Sequence, residues 1–235
     1  MKYALSTLAL AAGILAVSSV ARADDHFAAW TGIDFAPSST YGYVGGVYAF
    51  GGQNVDQEGW QVRASGGYGH VHYDTTAVPG GDVTDHLSSA DVMIGYQALS
   101  GPANARFFIG PDYQRLSESP VDPNTRRGTR VGAKAQAEVN TQLYDHIGLE
   151  AMGSYSTAFS TYWSRVTPSY QTPWFSIGPE VSFLGSDNFN QVRAGGAIGD
   201  VKLGPVSFRV DGGEAWTNGT GKNGGYGGLS VGGRF

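Results

Sequence analysis

His70, His72 and Asp74 occupy alternate positions in His70-Val-His72-Tyr-Asp74. In a soluble hydrolase this H-x-H-x-D spacing holds paired metals. Here period-2 spacing puts the three on one face of a strand, near a rim. No downstream His or Cys cluster completes a ligand shell, and Thr75 stands where the hydrolase motif continues with His. The residues read as rim polarity, with no metal and no other cofactor. Glu150 and Glu180 are a second candidate, as an acid/base pair acting on a glycan. They accompany Arg130, Lys134, Arg165, Arg193 and Arg209. Carboxylates among so many cations pair with them more readily than they acquire the shifted pKa of a catalytic acid. No spacing picks out a Ser-His-acid set. Asn218-Gly-Thr220 reads as a turn. Gly224–Gly233 lacks the following helix that a phosphate cradle needs.

The elements that carry these charges alternate strictly. In Gly128–Thr141, Arg130, Lys134, Gln136, Glu138 and Asn140 share one face. Thr129, Val131, Ala133, Ala135, Ala137 and Val139 share the other. Such a run is a long strand. A sandwich strand would turn large side chains toward its core. Here the apolar face is mostly small and the polar face carries both signs of charge. That is the pattern of a barrel with an apolar exterior and a polar lumen. The same alternation recurs at 90–98, 105–114, 147–159, 175–183, 192–198 and 206–210, with further strands at 30–36, 41–50, 60–73 and 162–170. With 226–235 the expected fold is all-β: a closed antiparallel transmembrane barrel of about twelve strands, or about ten if 159–170 is a loop. The short connections 99–104 and 141–146 suit periplasmic turns. The long 74–86, 117–127 and 217–224 suit external loops. Gly51–Gly59 is a misfit, being long for a periplasmic turn.

Both ends of the chain agree with export to an outer membrane. Lys2, the apolar stretch Ala4–Val20 and Ala21-Arg22-Ala23 form a signal peptide with cleavage after Ala23. The expected organisation is a leader over 1–23 and a barrel over 24–235. No Cys follows the cleavage site, so a lipoprotein is not expected, and no later segment is apolar enough for a transmembrane helix. The last strand runs to Phe235, as the closing strand of a barrel must. Removing the leader takes Lys2 and Arg22 from the 15 basic residues and none of the 20 acidic ones, so the net charge moves from −5 to −7. An acidic chain argues against nucleic acid as a partner. The 36 Gly and 13 Tyr suit strands, tight turns and aromatic belts, and without Cys the fold is held by its ladder and packing alone. Trp30, Tyr41, Trp60, Tyr113, Tyr144, Tyr155, Trp163, Trp174 and Phe235 lie near expected strand ends, as interfacial belts need.

Several segments in order carry a family resemblance. They are Gly66-Gly-Tyr-Gly69, Ala90-Asp-Val-Met-Ile-Gly-Tyr-Gln97, Gly110-Pro-Asp-Tyr-Gln114, Gly132-Ala-Lys134, Ser154–Arg165 and Ile177-Gly-Pro-Glu180. With them the chain resembles the cellulose biosynthesis protein BcsS family. The resemblance implies an outer-membrane barrel that accompanies a cellulose synthesis and secretion apparatus, and it transfers no catalytic residue. The expected function is therefore a non-enzymatic accessory to export of a β-glucan. The alternatives are a barrel enzyme acting on glycan or lipid A, and a small-solute porin. The expected partners are outer-membrane lipid and cellulose or other secretion components. Arg130, Lys134, Gln136, Glu138, Glu150, Arg165, Glu180, Arg193 and Arg209 form the expected lumen network. Tyr162, Trp163 and Tyr170 are candidates for stacking on sugar rings, or for anchoring at the interface.

Overall fold

A computed structural model describes residues 25–187, 189–218 and 222–235. The proposed leader, its cleavage site at Ala23 and Gly219–Gly221 lie outside the described residues. The twelve strands are β1 (Phe27–Ala36), β2 (Ser39–Ala49), β3 (Gly59–Asp74), β4 (Asp82–Ser100), β5 (Ala103–Ser119), β6 (Gly128–Tyr144), β7 (Ile147–Ser156), β8 (Tyr162–Gln171), β9 (Ser176–Ser186), β10 (Phe189–Leu203), β11 (Val206–Asn218) and β12 (Gly224–Arg234). Each pairs antiparallel with its sequence neighbours, and β12 pairs with β1, so the sheet closes on itself without an edge. Phe27 and Phe235 exchange both backbone hydrogen bonds, at 3.0 and 2.7 Å, and fasten the seam to its end. We call the end that carries this seam the near end and the opposite one the far end.

The residues between Phe159 and Tyr170 are mostly strand, so the count is twelve and not ten. Strand β7 stops at Ser156, short of the expected Phe159. The chain turns inward there, Phe159 and Ser160 adopt φ of 53° and 51°, and Ala158 and Phe159 are buried. Strands β3 and β4 run on to Asp74 and Asp82, leaving only a short connection where 74–86 was expected as a loop.

Alternation sorts each strand into an outward and an inward set. Outward, Val92, Ile94, Ile109, Val139, Val166, Val181, Val210 and Leu229 form an exposed aliphatic band. Exposed rings flank it on both sides. Trp60, Tyr96, Tyr144, Tyr170 and Trp174 lie toward the near end; Phe35, Tyr68, Tyr113, Phe183 and Trp216 lie toward the far end. An apolar band between two aromatic girdles is how a barrel meets a bilayer. Three expected belt residues belong elsewhere. Trp30, Tyr41 and Trp163 alternate into the lumen, because their strands place Thr31, Thr40 and Tyr162 outward instead.

The misfit connection Phe50–Glu58 is a plug. Val55 is fully buried at the near end among Val47, Ala49, Met93 and Phe108. Its N–H donates to the Asp25 carbonyl at 2.8 Å. Its carbonyl accepts from Gln61 at 3.0 Å and from Arg106 at 3.2 Å. The connection is long because it reaches back into the barrel rather than merely joining two strands.

Candidate functional site: a charge-paired lumen

The interior opens as a cavity of about 870 Å³ whose lining runs from Thr125, Arg126 and Asn218 at the far end down to Asp200 and Ser207. Glycines shape its wall. A Cβ on Gly67 would stand 2.0 Å from the Tyr41 hydroxyl oxygen, and one on Gly32 would stand 2.4 Å from that of Tyr43. Both rings therefore lie flat against neighbouring strands instead of crossing the lumen.

Two ion-pair clusters line opposite stretches of the sheet. In the first, on β3 to β6, Glu138 takes Arg63 at 2.8 Å and Arg106 at 3.6 Å, and Lys134 reaches Asp91 at 2.7 Å. Gln136 donates to Glu138 at 2.6 Å, and Ser65 donates to Asp91 at 2.7 Å. The Arg63 guanidinium also covers the Trp30 ring at 4.5 Å. In the second, on β7 to β11, Arg165 binds Glu150 and lies 3.9 Å from Glu180. Arg209 binds Glu180 and reaches Glu150 at 3.5 Å and Asp211 at 4.0 Å. Thr167 donates to Glu180 at 3.2 Å. Arg193 stands beside them, 4.0 Å from Asp34, with a 2.6 Å bond to Gln191.

The structure thus gathers eight of the nine expected network residues into two groups and an adjoining pair. Arg130 stands apart, over the buried Phe159 ring at 4.7 Å. The partners Asp34, Arg63, Asp91, Arg106 and Asp211 were absent from the sequence-derived set. Their signal was available: each falls on the polar side of an alternating strand. In the named pairs six bases (Arg63, Arg106, Lys134, Arg165, Arg193, Arg209) meet six acids (Asp34, Asp91, Glu138, Glu150, Glu180, Asp211), so the network carries no net charge. Glu150 and Glu180 share the same two guanidiniums.

The aromatic trio does not assemble. Tyr162 and Tyr170 sit on the outward face at opposite ends of β8. Tyr162 donates to Asn190 at 2.7 Å, and Tyr170 packs on the His146 ring at 5.6 Å. Only Trp163 turns inward, with the Arg165 guanidinium 5.5 Å from its ring. An eight-residue offset keeps Tyr162 and Tyr170 on one side of the strand, and an odd offset sends Trp163 to the other. His70 and His72 also face outward, with His86 beside them. Among the described residues no group of three or more His, Cys, Asp or Glu is set to hold a metal.

The family model for cellulose biosynthesis protein BcsS matches residues 28–235, all of the barrel but Phe27. The chain belongs to the BcsS family. No curated protein matches it in sequence. Among solved structures it is similar to the KdgM porin, at 8% identity and TM-score 0.52, over 88% of this chain and 99% of that one. It is similar also to the KdgM porin in complex with disordered oligogalacturonate, at 8% identity and TM-score 0.50, with the same coverage. At that identity the likeness concerns the barrel fold alone.

Proposed function

We propose that this BcsS-family barrel is a non-catalytic outer-membrane accessory to cellulose export. In this reading the leader over 1–23 is removed, the near end faces the periplasm and the far end faces the medium. The outward band meets outer-membrane lipid. The lumen lets a β-glucan chain, or a small group that modifies it, cross or dock. The observation that carries the reading is that the lumen holds no surplus of positive charge: its cations pair with carboxylates, and Asp85, Asp112, Asp122 and Asp200 line it besides. KdgM porin has been captured with oligogalacturonate, an anionic polymer. A passage for such a polymer profits from excess positive charge. Here the paired cations leave no such excess, which suits an uncharged glucan. Glu150 and Glu180 are both engaged by the same two guanidiniums, the geometry of a structural ion-pair network and not of an acid and base free to meet a substrate.

The test is deletion of the gene with complementation. Secreted cellulose should fall or change in form, while synthase activity in isolated inner membranes persists. Unchanged cellulose output would overturn the reading. So would purified barrel that cleaves cello-oligosaccharides or deacylates lipid A.

A further inference from the structure

The outward faces of β3, β4 and β5 change character above the far-side girdle. Below it stand Val62, Val92, Ile94 and Ile109. At the girdle Tyr68 lies opposite Ser88, and Ser88 lies opposite Arg115. One row further out His70 lies opposite His86, and His86 opposite Ser117. Beyond that His72 faces Thr84. The register is continuous through these rows, so all these side chains point away from the lumen.

The histidines touch one another. His70 lies 5.1 Å from the His72 ring and 6.4 Å from the His86 ring, and Tyr68 stacks on His86 at 6.1 Å. Hydroxyls hold two of the rings. Tyr68 Oη sits 3.0 Å from His86 Nδ1, and Thr84 Oγ1 sits 2.9 Å from His72 Nδ1. When each hydroxyl donates to Nδ1, the proton of a neutral imidazole resides on Nε2, and both Nε2–H groups become free donors. Arg115, diagonal to His86 on the next strand, is exposed and makes no ion pair among the described residues. Of the carboxylates nearby, two face the lumen and two share the outward face one row beyond His72 and Thr84, at the strand tip. Asp85 and Glu118 alternate into the lumen, and Asp74, at the strand tip, pairs with Lys222 at 3.8 Å. Asp82 stands opposite Asp74 at that same tip.

Three imidazoles therefore sit two to four residues beyond an aromatic girdle, with the Arg115 guanidinium at the girdle row, on the surface that meets the bilayer. That is headgroup height, and a cluster of N–H donors around a guanidinium fits an anion there. We propose that Tyr68, His70, His72, His86 and Arg115 form a binding site for the phosphate of a phosphorylated glycolipid in the outer leaflet. The site rests on the proposed orientation, with the far end outward. Arg115 supplies a permanent charge and a planar fork, the imidazoles supply N–H donors, and Tyr68 packs against the sugar or upper acyl region.

The test uses the full barrel in detergent micelles, titrated by native mass spectrometry with bisphosphorylated lipid A. Lipid A should bind, and fully dephosphorylated lipid A should bind about tenfold more weakly or worse, as expected when charge-assisted hydrogen bonds are lost. The triple change His70→Gln, His86→Gln, Arg115→Gln should lower lipid A affinity by a similar factor or more. His146→Gln at the near end should leave it unchanged. Heat-modifiable gel migration checks that every variant is folded. Equal affinity of the triple variant and the parent, or equal affinity for the two forms of lipid A, would overturn the site. Full displacement of lipid A by inorganic phosphate would also overturn it, because the site would then bind the free ion and not the lipid. Cellulose output does not enter this titration, so its result stands separately from the export reading.

Discussion

Placing Arg at Ala135 tests the outward face of β6 at its most sensitive depth. Ala135 lies between Ile109 of β5 and Tyr155 of β7, and four residues before it Val131, 73% exposed, lies opposite the girdle residue Tyr113. A strand rises about 3.3 Å per residue, and a tilt of about 40° leaves about 2.5 Å of that along the barrel axis. Ala135 is therefore about 10 Å below the Tyr113 row, close to the middle of an apolar band about 25 Å tall. Arg at the midplane of such a band costs about 2–4 kcal/mol, against about 0–1 kcal/mol near an interface. Ala135→Arg should thus shift the folding equilibrium roughly 30- to 1,000-fold, while Val131→Arg and Leu143→Arg shift it about fivefold at most. Denaturant unfolding in the presence of phospholipid vesicles reads the difference. Equal costs at all three positions would refute the depth argument. Labelling of Ala135→Cys by a membrane-impermeant reagent, with Gln136→Cys protected, would reverse the faces.

Glu180 is 3% exposed and shared by two guanidiniums. Glu180→Gln should cost about 3–5 kcal/mol by leaving buried cations short of a partner, visible in the same unfolding assay; an unchanged midpoint would mean that Glu150 and Asp211 suffice. Replacing Val55 by Asp should unseat the plug, because a carboxylate among Val47, Ala49, Met93 and Phe108 is stripped of water and the nearest cation, Arg106, is already shared by Asp56 and Glu138. Planar-bilayer recordings should then show larger or more frequent conductance steps than the parent. At the far end Arg126 holds Asp187 at 2.5 Å. The Ser160 hydroxyl first, and Arg126 with it, keeps that carboxyl below its usual range. A depressed acid contributes above its ordinary pKa and stops contributing as the pH falls through the lowered value. Cleavage of the 120–127 loop by an acid-stable protease should therefore rise only below about pH 4. Asp187→Asn should show the same rise at neutral pH.

Most of the architecture was legible because a barrel writes itself in a period of two. Lys134 and Glu138 could be placed inside from Gly128–Thr141 alone, and the twelve strands follow from the same rule applied elsewhere. What failed was whatever alternation does not encode. An aromatic near a strand end serves a girdle or a lumen according to parity, and Trp30 and Trp163 have the parity of the lumen. Phe159 continued an alternating pattern, yet two residues at positive φ turn it inward. The plug was visible only as a connection too long for its place, since the packing of Val55 on Met93 and Phe108 joins residues far apart in sequence. Pairing within the lumen was similarly hidden. Parity shows that Arg63 and Glu138 face inward, but only closure of the sheet brings them within 2.8 Å.

The plug's anchors come from both ends of the chain. Val55 bonds to Asp25 ahead of β1, and Asp56 holds Arg234 of β12 at 2.6 Å. A barrel whose last strand has not met its first lacks that arrangement, so the stopper cannot seat fully until the seam is shut. Seating of Val55 therefore reports that the seam is shut, and a chain that loses its final residues forfeits an anchor of the plug along with its closure.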